Sequence, residues 1–218
     1  DDLLLRKVYI TGGIGARYTG EAIGLPYELP NERAYAETCA AVALMMWSFR
    51  MFLAEGKTGF MDTFETALYN GFLSGISLDG LNYFYTNPLA SRGNHKRHPW
   101  YGCCCCPPNV QRILAGLPAS FYALNGKGVT VNLYSESESC IDLPSGNKLT
   151  ISQRTDYPFE GRIVIDIKPE KKEEFSLFLR IPGWVKKYSA KVNGQPVSDE
   201  DRGYLEIKRV WEPVKNTI

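Results

Sequence analysis

The hydrophobic residues of this 218-residue chain change their spacing near residue 125. Before that point they recur at helical intervals, and after it they alternate in short runs that turn residues separate. The pattern therefore predicts an α+β chain with two domains, a helical region over residues 1–125 and an all-β region over residues 126–218.

Three helices are predicted in the first region. Residues 40–53 are apolar on nearly every side, as in a helix packed between other helices, with Thr38 as the N-cap and Gly56 as the stop. A second helix is predicted by apolar residues that recur every four positions, namely Phe60, Phe64, Leu68 and Phe72. The third is expected to begin at residues 107–109 and to run towards Gly116, because proline is tolerated in a first turn.

Short strands account for the rest of the pattern. Residues 77–85 predict a strand, an Asp-Gly turn and a second strand. In the second region the alternating runs are residues 129–134, 148–153, 162–167, 175–181, 190–192 and 204–207. Their lengths and the turns between them predict an antiparallel β-sandwich.

The composition is that of a globular protein with a real core. Hydrophobic residues make up 44% and charged residues 22%, and the formal net charge is +1, so neither nucleic acid nor an acidic membrane is an expected partner. No apolar run reaches the roughly 18 residues that span a bilayer. The chain starts without Met and stops in strand-like sequence, which indicates a piece of a longer polypeptide.

Four consecutive cysteines, residues 103–106, are the clearest candidate chemistry. Neighbouring side chains point in different directions on a helix or a strand, so two or three of these thiols can share one point but not all four. Cys106 precedes a proline, which favours an extended backbone, and lies where a helix N-terminus would favour a thiolate.

A second short ligand pair, Glu37 and Cys39, flanks the predicted cap Thr38. Together with Cys105 and Cys106 it would offer one oxygen and three sulfurs, which is a zinc-like set. Buried thiols without a metal, or disulfides, are the alternatives. His95 and His98 could add nitrogen ligands but fit a basic loop better, and Cys140 fits an ordinary strand position.

The order of short motifs resembles that of glycoside hydrolase family 127, which with its close relatives contains the zinc-dependent β-L-arabinofuranosidases. The motifs are residues 9–15, 20–22, 27–31, 37–39, 68–70, 77–80, 87–89 and 105–109. The resemblance implies a retaining glycosidase with an (α/α)6 barrel followed by β-sandwiches, acting on arabinofuranosides of plant-derived glycans or glycoproteins. The chain is too short for a whole barrel, so it would hold the barrel's C-terminal portion over residues 1–125 and a sandwich over residues 126–218, and alone it is not expected to complete the sugar pocket.

The same resemblance assigns roles to individual residues. It implies that Zn²⁺ is held by Glu37, Cys39, Cys105 and Cys106, and that Cys105 is also the nucleophile. It makes Glu21 the general acid/base and Tyr85 a substrate contact. It gives no role to Cys103 or Cys104.

Two other kinds of function fit the residues. A structural zinc module would use the same four ligands, and a carbohydrate-binding or assembly role could rest on Trp184, Trp211 and Tyr204 as stacking residues. Thiol redox activity fits less well, because adjacent cysteines do not readily form an unstrained disulfide. Unpaired thiols favour a reducing compartment, so the expected location is cytoplasmic, with periplasm or secretion as alternatives. A homo-oligomer is compatible with these features.

Overall fold

A computed structural model of the chain describes residues 2–198 and 203–218. They form two compact units, Asp1–Leu117 and Pro118–Ile218. The first unit contains helices and long irregular segments, and the second contains the sheets. The chain is thus a mixed α+β protein with few helices and several sheets.

The first unit ends at Leu117, which is earlier in the chain than the expected boundary at residue 125. Strand β1, Tyr122–Asn125, pairs antiparallel with β2, Gly128–Val131, and Asn125 faces Gly128 in the register. The Asn-Gly segment where the hydrophobic spacing changes is therefore the turn of a hairpin inside the second unit. It does not link the two units.

The described part of the first unit has four α-helices: α1, Asp2–Arg6; α2, Thr38–Glu55; α3, Thr58–Thr66; and α4, Cys106–Gly116. Gly56 ends α2 in the left-handed conformation and donates its N–H to the carbonyl of Phe52, as expected of a stop residue. The expected second helix is divided, because α3 continues as a π-helical segment, Ala67–Phe72, and a 3₁₀ turn, Leu73–Gly75.

Helix α2 is long and apolar enough, by length and composition, to span a membrane, with a mean hydropathy of 1.2 over 18 residues. The window includes Arg50 and Glu55, so it passes this test without being an uninterrupted apolar run of that length. The rings of Trp47 and Phe49 in α2 contact those of Phe60 and Phe64 in α3, with centroids 6.3 and 6.4 Å apart. A core helix of a water-soluble protein passes the same length and composition test, so the test alone is weak evidence for a membrane.

Three local predictions in this unit are wrong. Thr38 is the first residue of α2 and not its cap, since its hydroxyl donates to the carbonyl of Phe84 at 2.7 Å and Glu37 occupies the cap position. Cys106 is not extended but begins α4, because the first amides of a helix need no intrahelical partner and tolerate the prolines that follow. Residues 77–85 form a turn with isolated bridges at Ile76 and Tyr83 instead of two strands.

Among its described residues the second unit holds two four-stranded sheets and a short hairpin, in the orders β1-β2-β6-β9, β10-β5-β4-β3 and β7-β8. The remaining strands are β3, Ser137–Asp142; β4, Lys148–Thr155; β5, Ile163–Pro169; β6, Glu173–Arg180; β7, Ala190–Val192; β8, Gln195–Val197; β9, Tyr204–Trp211; and β10, Asn216–Thr217. Strands β2 and β6 run parallel, so the expected purely antiparallel arrangement is wrong at this pair. One hydrophobic cluster takes side chains from both large sheets, among them Val129, Ile151 and Leu177.

The three aromatic residues considered for sugar stacking differ in exposure. Trp211 has no exposed surface and donates its ring N–H to the carbonyl of Phe175, so it belongs to the core. The hydroxyl of Tyr204 donates to Asn132 at 2.7 Å. Trp184 is 62% exposed and stacks on Tyr157. Of the three, Trp184 keeps the surface that stacking on a sugar needs.

Candidate functional site

Four side chains from two distant segments of the first unit meet at one point: Glu37, Cys39, Cys105 and Cys106. Their carboxylate oxygen and sulfur atoms all lie within 4.8 Å of one another. Cys39 Sγ is 3.5 Å from Cys106 Sγ, and Cys105 Sγ is 3.2 Å from Glu37 Oε1 and 3.9 Å from Cys106 Sγ. The structure brings together the four residues expected as metal ligands.

Two helix N-termini place these ligands. Glu37 occupies the cap position of α2, with Cys39 in its first turn, while Cys105 occupies the cap position of α4 and Cys106 begins it. The backbone is extended at Glu37, with φ of −61° and ψ of 142°, so its carboxylate can face the same point as the Cys39 thiol, whereas Cys105 is already helical and adjacent to Cys106. Two nearby residues that would diverge along a continuous helix can therefore both contribute.

The segment before α2 is tied down from its other side. The amide of Thr38 donates to the carbonyl of Tyr85 at 3.0 Å, and the Asn87 side-chain amide donates to the Thr38 hydroxyl at 3.1 Å. Thr38 has no exposed surface. These bonds fix the start of α2 against residues 84–87, so the positions of Glu37 and Cys39 do not depend on the helix alone.

The donor set fits a zinc-type ion. In a tetrahedral site with Zn–S bonds of about 2.3 Å, neighbouring sulfurs lie about 3.8 Å apart. The separations of Cys106 Sγ from Cys39 Sγ and Cys105 Sγ, 3.5 and 3.9 Å, bracket that value. Three thiols and one carboxylate form a closed set of four ligands that is typical of zinc.

The pKa values of the three thiols indicate how a bound cation would change their protonation. Hydrogen bonds from Cys106 and then Asn109 lower the pKa of Cys39 to about 7. Burial, more than any other cause, raises the pKa of Cys105 to about 12, and the hydrogen bond to Cys39 followed by burial raises the pKa of Cys106. Without a metal, Cys105 and Cys106 keep their protons at neutral pH, whereas a bound metal ion deprotonates its thiol ligands.

Asn109 is a member of the site to which the sequence pattern assigned no role. Its Nδ2 donates to Cys39 Sγ at 3.2 Å, and Arg112 donates to its Oδ1. Asn109 lies one helical turn after Cys106, so it shares a face of α4 with that ligand. This three-residue spacing from Cys106 is the feature of the sequence that could have indicated Asn109 as a neighbour of the ligands.

Tyr85 lies beside the cluster, where its hydroxyl oxygen is 3.5 Å from Cys105 Sγ. The hydrogen bond to Cys105 is the main reason that the pKa of Tyr85 is raised. The rings of Tyr35 and Tyr101 pack against its ring, with centroids 6.2 and 5.7 Å away. A molecule that reaches the sulfur of Cys105 would therefore also meet the Tyr85 hydroxyl.

Glu21 lies in a short 3₁₀ turn, Thr19–Glu21, and is exposed. Both Gly20, with φ of 67°, and Glu21, with φ of 51°, have left-handed backbones, which is a strained conformation for a glutamate. The hydroxyl of Tyr35 donates to Glu21 Oε1 at 2.7 Å. A cleft of about 360 Å³ is lined by Glu21 and Tyr35 together with the cluster residues Glu37 and Cys39. Glu21 therefore faces the same cleft as two of the candidate ligands.

The other candidate ligands lie outside the cluster. His95 Nε2 is 2.9 Å from the carbonyl of Thr86, and its ring stacks on Phe84. His98 pairs through its backbone with Tyr83. Cys103 and Cys104 are exposed free thiols next to the cluster, and Cys140 is an exposed free thiol in β3.

The fold and the site define a mixed α+β chain with a cluster of one carboxylate and three thiols that could hold a metal ion, and comparison with known proteins gives its family. Residues 1–119 match the β-L-arabinofuranosidase GH127 catalytic domain, and residues 128–217 match the GH127 middle domain. The chain therefore belongs to glycoside hydrolase family 127, as its motifs indicated.

Characterised relatives are much longer than this chain. A non-reducing end β-L-arabinofuranosidase of Bifidobacterium longum subsp. longum is 36% identical over 210 residues, which is 89% of this chain and 32% of that protein. A GH127 β-L-arabinofuranosidase from Geobacillus stearothermophilus T6 has a similar structure, with a TM-score of 0.93, 37% identity and coverage of 99% of this chain and 36% of that one. A further GH127 β-arabinofuranosidase gives a TM-score of 0.90 at 42% identity, over 100% of this chain and 37% of that one. The chain thus spans about a third of each relative.

Proposed function

We propose that this chain is the metal-binding part of a retaining glycosidase that releases L-arabinofuranose from plant-derived glycans or glycoproteins. Family membership and the β-L-arabinofuranosidase activity of the relatives support this proposal. Because the chain covers 32% of the Bifidobacterium relative, the activity is proposed for a protein that contains it. In that protein the first unit would be the C-terminal portion of an (α/α)6 barrel, and the second unit a β-sandwich with one parallel strand pair.

The observation that carries the proposal is the convergence of Glu37, Cys39, Cys105 and Cys106 within 4.8 Å, beside a cleft that Glu21 also lines. These four residues would hold a zinc ion. When bound, the ion would supply the positive charge that keeps Cys105 as a thiolate at neutral pH.

Cys105 is proposed as the nucleophile. Cys106 has no exposed surface, whereas Cys105 is half-buried and touches the Tyr85 hydroxyl. The sulfur of Cys105 would attack the anomeric carbon as the bond to the leaving oxygen breaks, and the sugar would be held for a time as a thioglycoside. Water would then attack the same carbon and free the sulfur, so two inversions give net retention.

Glu21 is proposed as the general acid/base. Its carboxyl group would give a proton to the departing oxygen in the first step and take a proton from the attacking water in the second. The role needs a carboxyl group that reaches the cleft but is not a metal ligand. Glu21 meets this requirement, because it lines the cleft and lies outside the four-residue cluster.

The decisive test replaces Cys105 in the longest protein that contains this chain. Cys105→Ser is expected to abolish turnover of an aryl β-L-arabinofuranoside while most of the zinc is retained. Cys104→Ser, at the exposed neighbouring thiol, is the matched control and should keep full activity. An active Cys105→Ser variant would contradict the assignment. Bound zinc without any glycosidase activity in the unmodified protein would indicate a structural metal site instead.

We also propose a reducing compartment such as the cytoplasm for this protein. All six cysteines are free, including the exposed thiols Cys103, Cys104 and Cys140. Exposed thiols persist most readily where reductants keep them from pairing.

A further inference from the structure

Tyr35 connects the proposed acid/base to the rest of the site. It is 7% exposed, and its hydroxyl donates to Glu21 Oε1 at 2.7 Å. Its backbone carbonyl accepts from the amide of Asn87, and the next residue, Ala36, donates its amide to the carbonyl of Gly15 at 2.9 Å. The tyrosine is thus held from both sides, and its hydroxyl is a fixed point near an exposed carboxylate.

Glu21 has little else to orient it. The turn that carries it is anchored at Ala22, the carbonyl of which accepts from the amides of Ala16 and Arg17 at 3.1 Å. Within residues 2–198 and 203–218, the Tyr35 hydroxyl is the one hydrogen-bond partner of the Glu21 carboxylate. A flexible glutamate in an exposed turn would otherwise sample several rotamers, and a proton donor displaced by about 1 Å loses much of its effect.

Tyr35 also reaches towards the proposed nucleophile. Its ring meets that of Tyr85 edge-on, with the two ring centroids 6.2 Å apart. The Tyr85 hydroxyl is in turn 3.5 Å from Cys105 Sγ. A row of contacts therefore runs from Glu21 through Tyr35 and Tyr85 to Cys105, with hydrogen bonds at its two ends and a ring contact between the tyrosines.

We infer that Tyr35 is a positioning residue for the reaction, because its hydroxyl aims the Glu21 carboxyl group at the leaving oxygen while its ring packs against Tyr85 beside Cys105. The inference rests on the proposed function. In an ordinary packing residue the ring supports the fold and the hydroxyl is not needed for activity, whereas this role requires the Tyr35 hydroxyl. Removing only the hydroxyl is therefore the informative change.

The test compares Tyr35→Phe with Tyr18→Phe in the longest protein that contains this chain. The ring of Tyr18 contacts that of Tyr35 at 5.0 Å, but its hydroxyl makes no hydrogen bond to any residue that the structure describes, so it is a matched control. For Tyr35→Phe, kcat/KM on methyl β-L-arabinofuranoside is expected to fall ~100-fold, and on the 4-nitrophenyl glycoside less than ~5-fold, since an activated leaving group needs less protonation. Zinc content should not change, and Tyr18→Phe should match the unmodified protein.

A double-mutant cycle shows whether Tyr35 acts through Glu21. In a Glu21→Gln background, Tyr35→Phe is expected to lower kcat/KM on the methyl glycoside by less than about a further twofold, because the carboxyl group that Tyr35 aims has already been removed. Equal losses on both glycosides, or the full loss in the Glu21→Gln background, would overturn the inference.

A second variant covers the case in which Tyr35→Phe unfolds or loses zinc. Glu21→Asp keeps the carboxyl group but withdraws it from the Tyr35 hydroxyl, and it should show the same selective loss on the methyl glycoside. Wild-type rates for Glu21→Asp would overturn the inference. Wild-type rates for Glu21→Gln or Cys105→Ser would instead refute the proposed catalytic roles, so the two failures are distinguishable.

Discussion

The sulfur atoms of Cys39 and Cys106 lie 3.5 Å apart although 67 residues separate them in the chain. Each belongs to the first turn of a helix, Cys39 in α2 and Cys106 in α4. The N-terminus of each helix supplies two of the four candidate ligands, so neither N-terminus alone has the four that a closed zinc site requires. Metal binding and the packing of these two helix starts therefore depend on each other.

The first prediction follows from that dependence. Cys39→Ala and Cys106→Ala should each weaken zinc binding by more than the roughly 10–100-fold that loss of an outer partner costs. Each removes one of four ligands and leaves the rest unable to close the site. The measurement is zinc per chain by mass spectrometry, with affinity from chelator competition. Cys140→Ala, at an exposed thiol in β3, is the control, and equal zinc in all three variants would contradict the site.

Asn109 should affect zinc affinity although it is not one of the four candidate ligands. Its side-chain amide donates to Cys39 Sγ at 3.2 Å, so Asn109→Ala removes a hydrogen bond to a ligand sulfur. We expect zinc affinity to fall about 10–100-fold while the stoichiometry stays the same. Gln111→Ala changes an exposed side chain on the same helix and should have no effect. Unchanged affinity in Asn109→Ala would show that the contact does not matter to the metal.

The role of Glu21 predicts a dependence on the leaving group. Glu21→Gln should lower kcat/KM on a methyl glycoside by about 10²–10⁴-fold and on a 4-nitrophenyl glycoside much less, because the nitrophenolate departs without a proton. Zinc content should be unaffected, since Glu21 lies outside the ligand cluster. Glu32→Gln, at an exposed position in the same part of the chain, is the control. Equal losses on the two substrates would argue against acid catalysis.

The metal cluster was predictable from sequence because its chemistry is local. Glu37 with Cys39, and Cys105 with Cys106, are short pairs beside recognisable helix starts, and the chain has only six cysteines and two histidines as sulfur and nitrogen ligands. Tyr35 was not predictable. Its contact with Glu21 depends on a turn with two left-handed residues, and no periodic pattern indicates which tyrosine such a turn will meet.

The errors in the fold have a common cause, which is long-range contact. Alternation predicts a strand but not the direction of its neighbour, so the parallel pairing of β2 with β6 was missed. The apolar spacing of residues 60–72 predicted one helix, whereas the segment continues beyond Thr66 as a π-helix. Within it, Gly71 approaches the backbone of residues 11–13, where an added Cβ would lie 3.2 Å from the carbonyl oxygen of Thr11. Local patterns carry no information about that approach.

Asp166 should make the stability of the second unit depend on acid pH. Burial alone would raise the pKa of Asp166, but hydrogen bonds from Thr217, Lys215 and Arg154 outweigh it and lower the pKa to about 2. Its side chain is 9% exposed, and Lys215 Nζ is 2.9 Å away.

A lowered pKa stabilises the folded chain at pH values above the ordinary value of 3.8, and this stabilisation is lost as the pH falls towards 2. We expect about 2 kcal/mol of unfolding free energy to disappear between about pH 5 and pH 2. Urea denaturation of the unmodified chain and of Asp166→Asn, compared over that range, isolates the effect because all other carboxyl groups are shared. Parallel pH curves for the two chains would contradict the assignment.

Gly128 should be indispensable to the parallel pair that the sequence did not predict. It faces Ser176 in the register of β2 with β6, and a Cβ at this glycine would lie 1.9 Å from the Ser176 carbonyl oxygen. Backbone cannot yield as a flexible side chain can, so Gly128→Ala must push the two strands apart. We expect a loss of about 3 kcal/mol or more in unfolding free energy. Gly126→Ala, in the same hairpin turn, places its Cβ in open space and should cost less than about 1 kcal/mol. Urea midpoints measured side by side decide the matter, because equal midpoints would mean that β2 and β6 do not pair closely at Gly128.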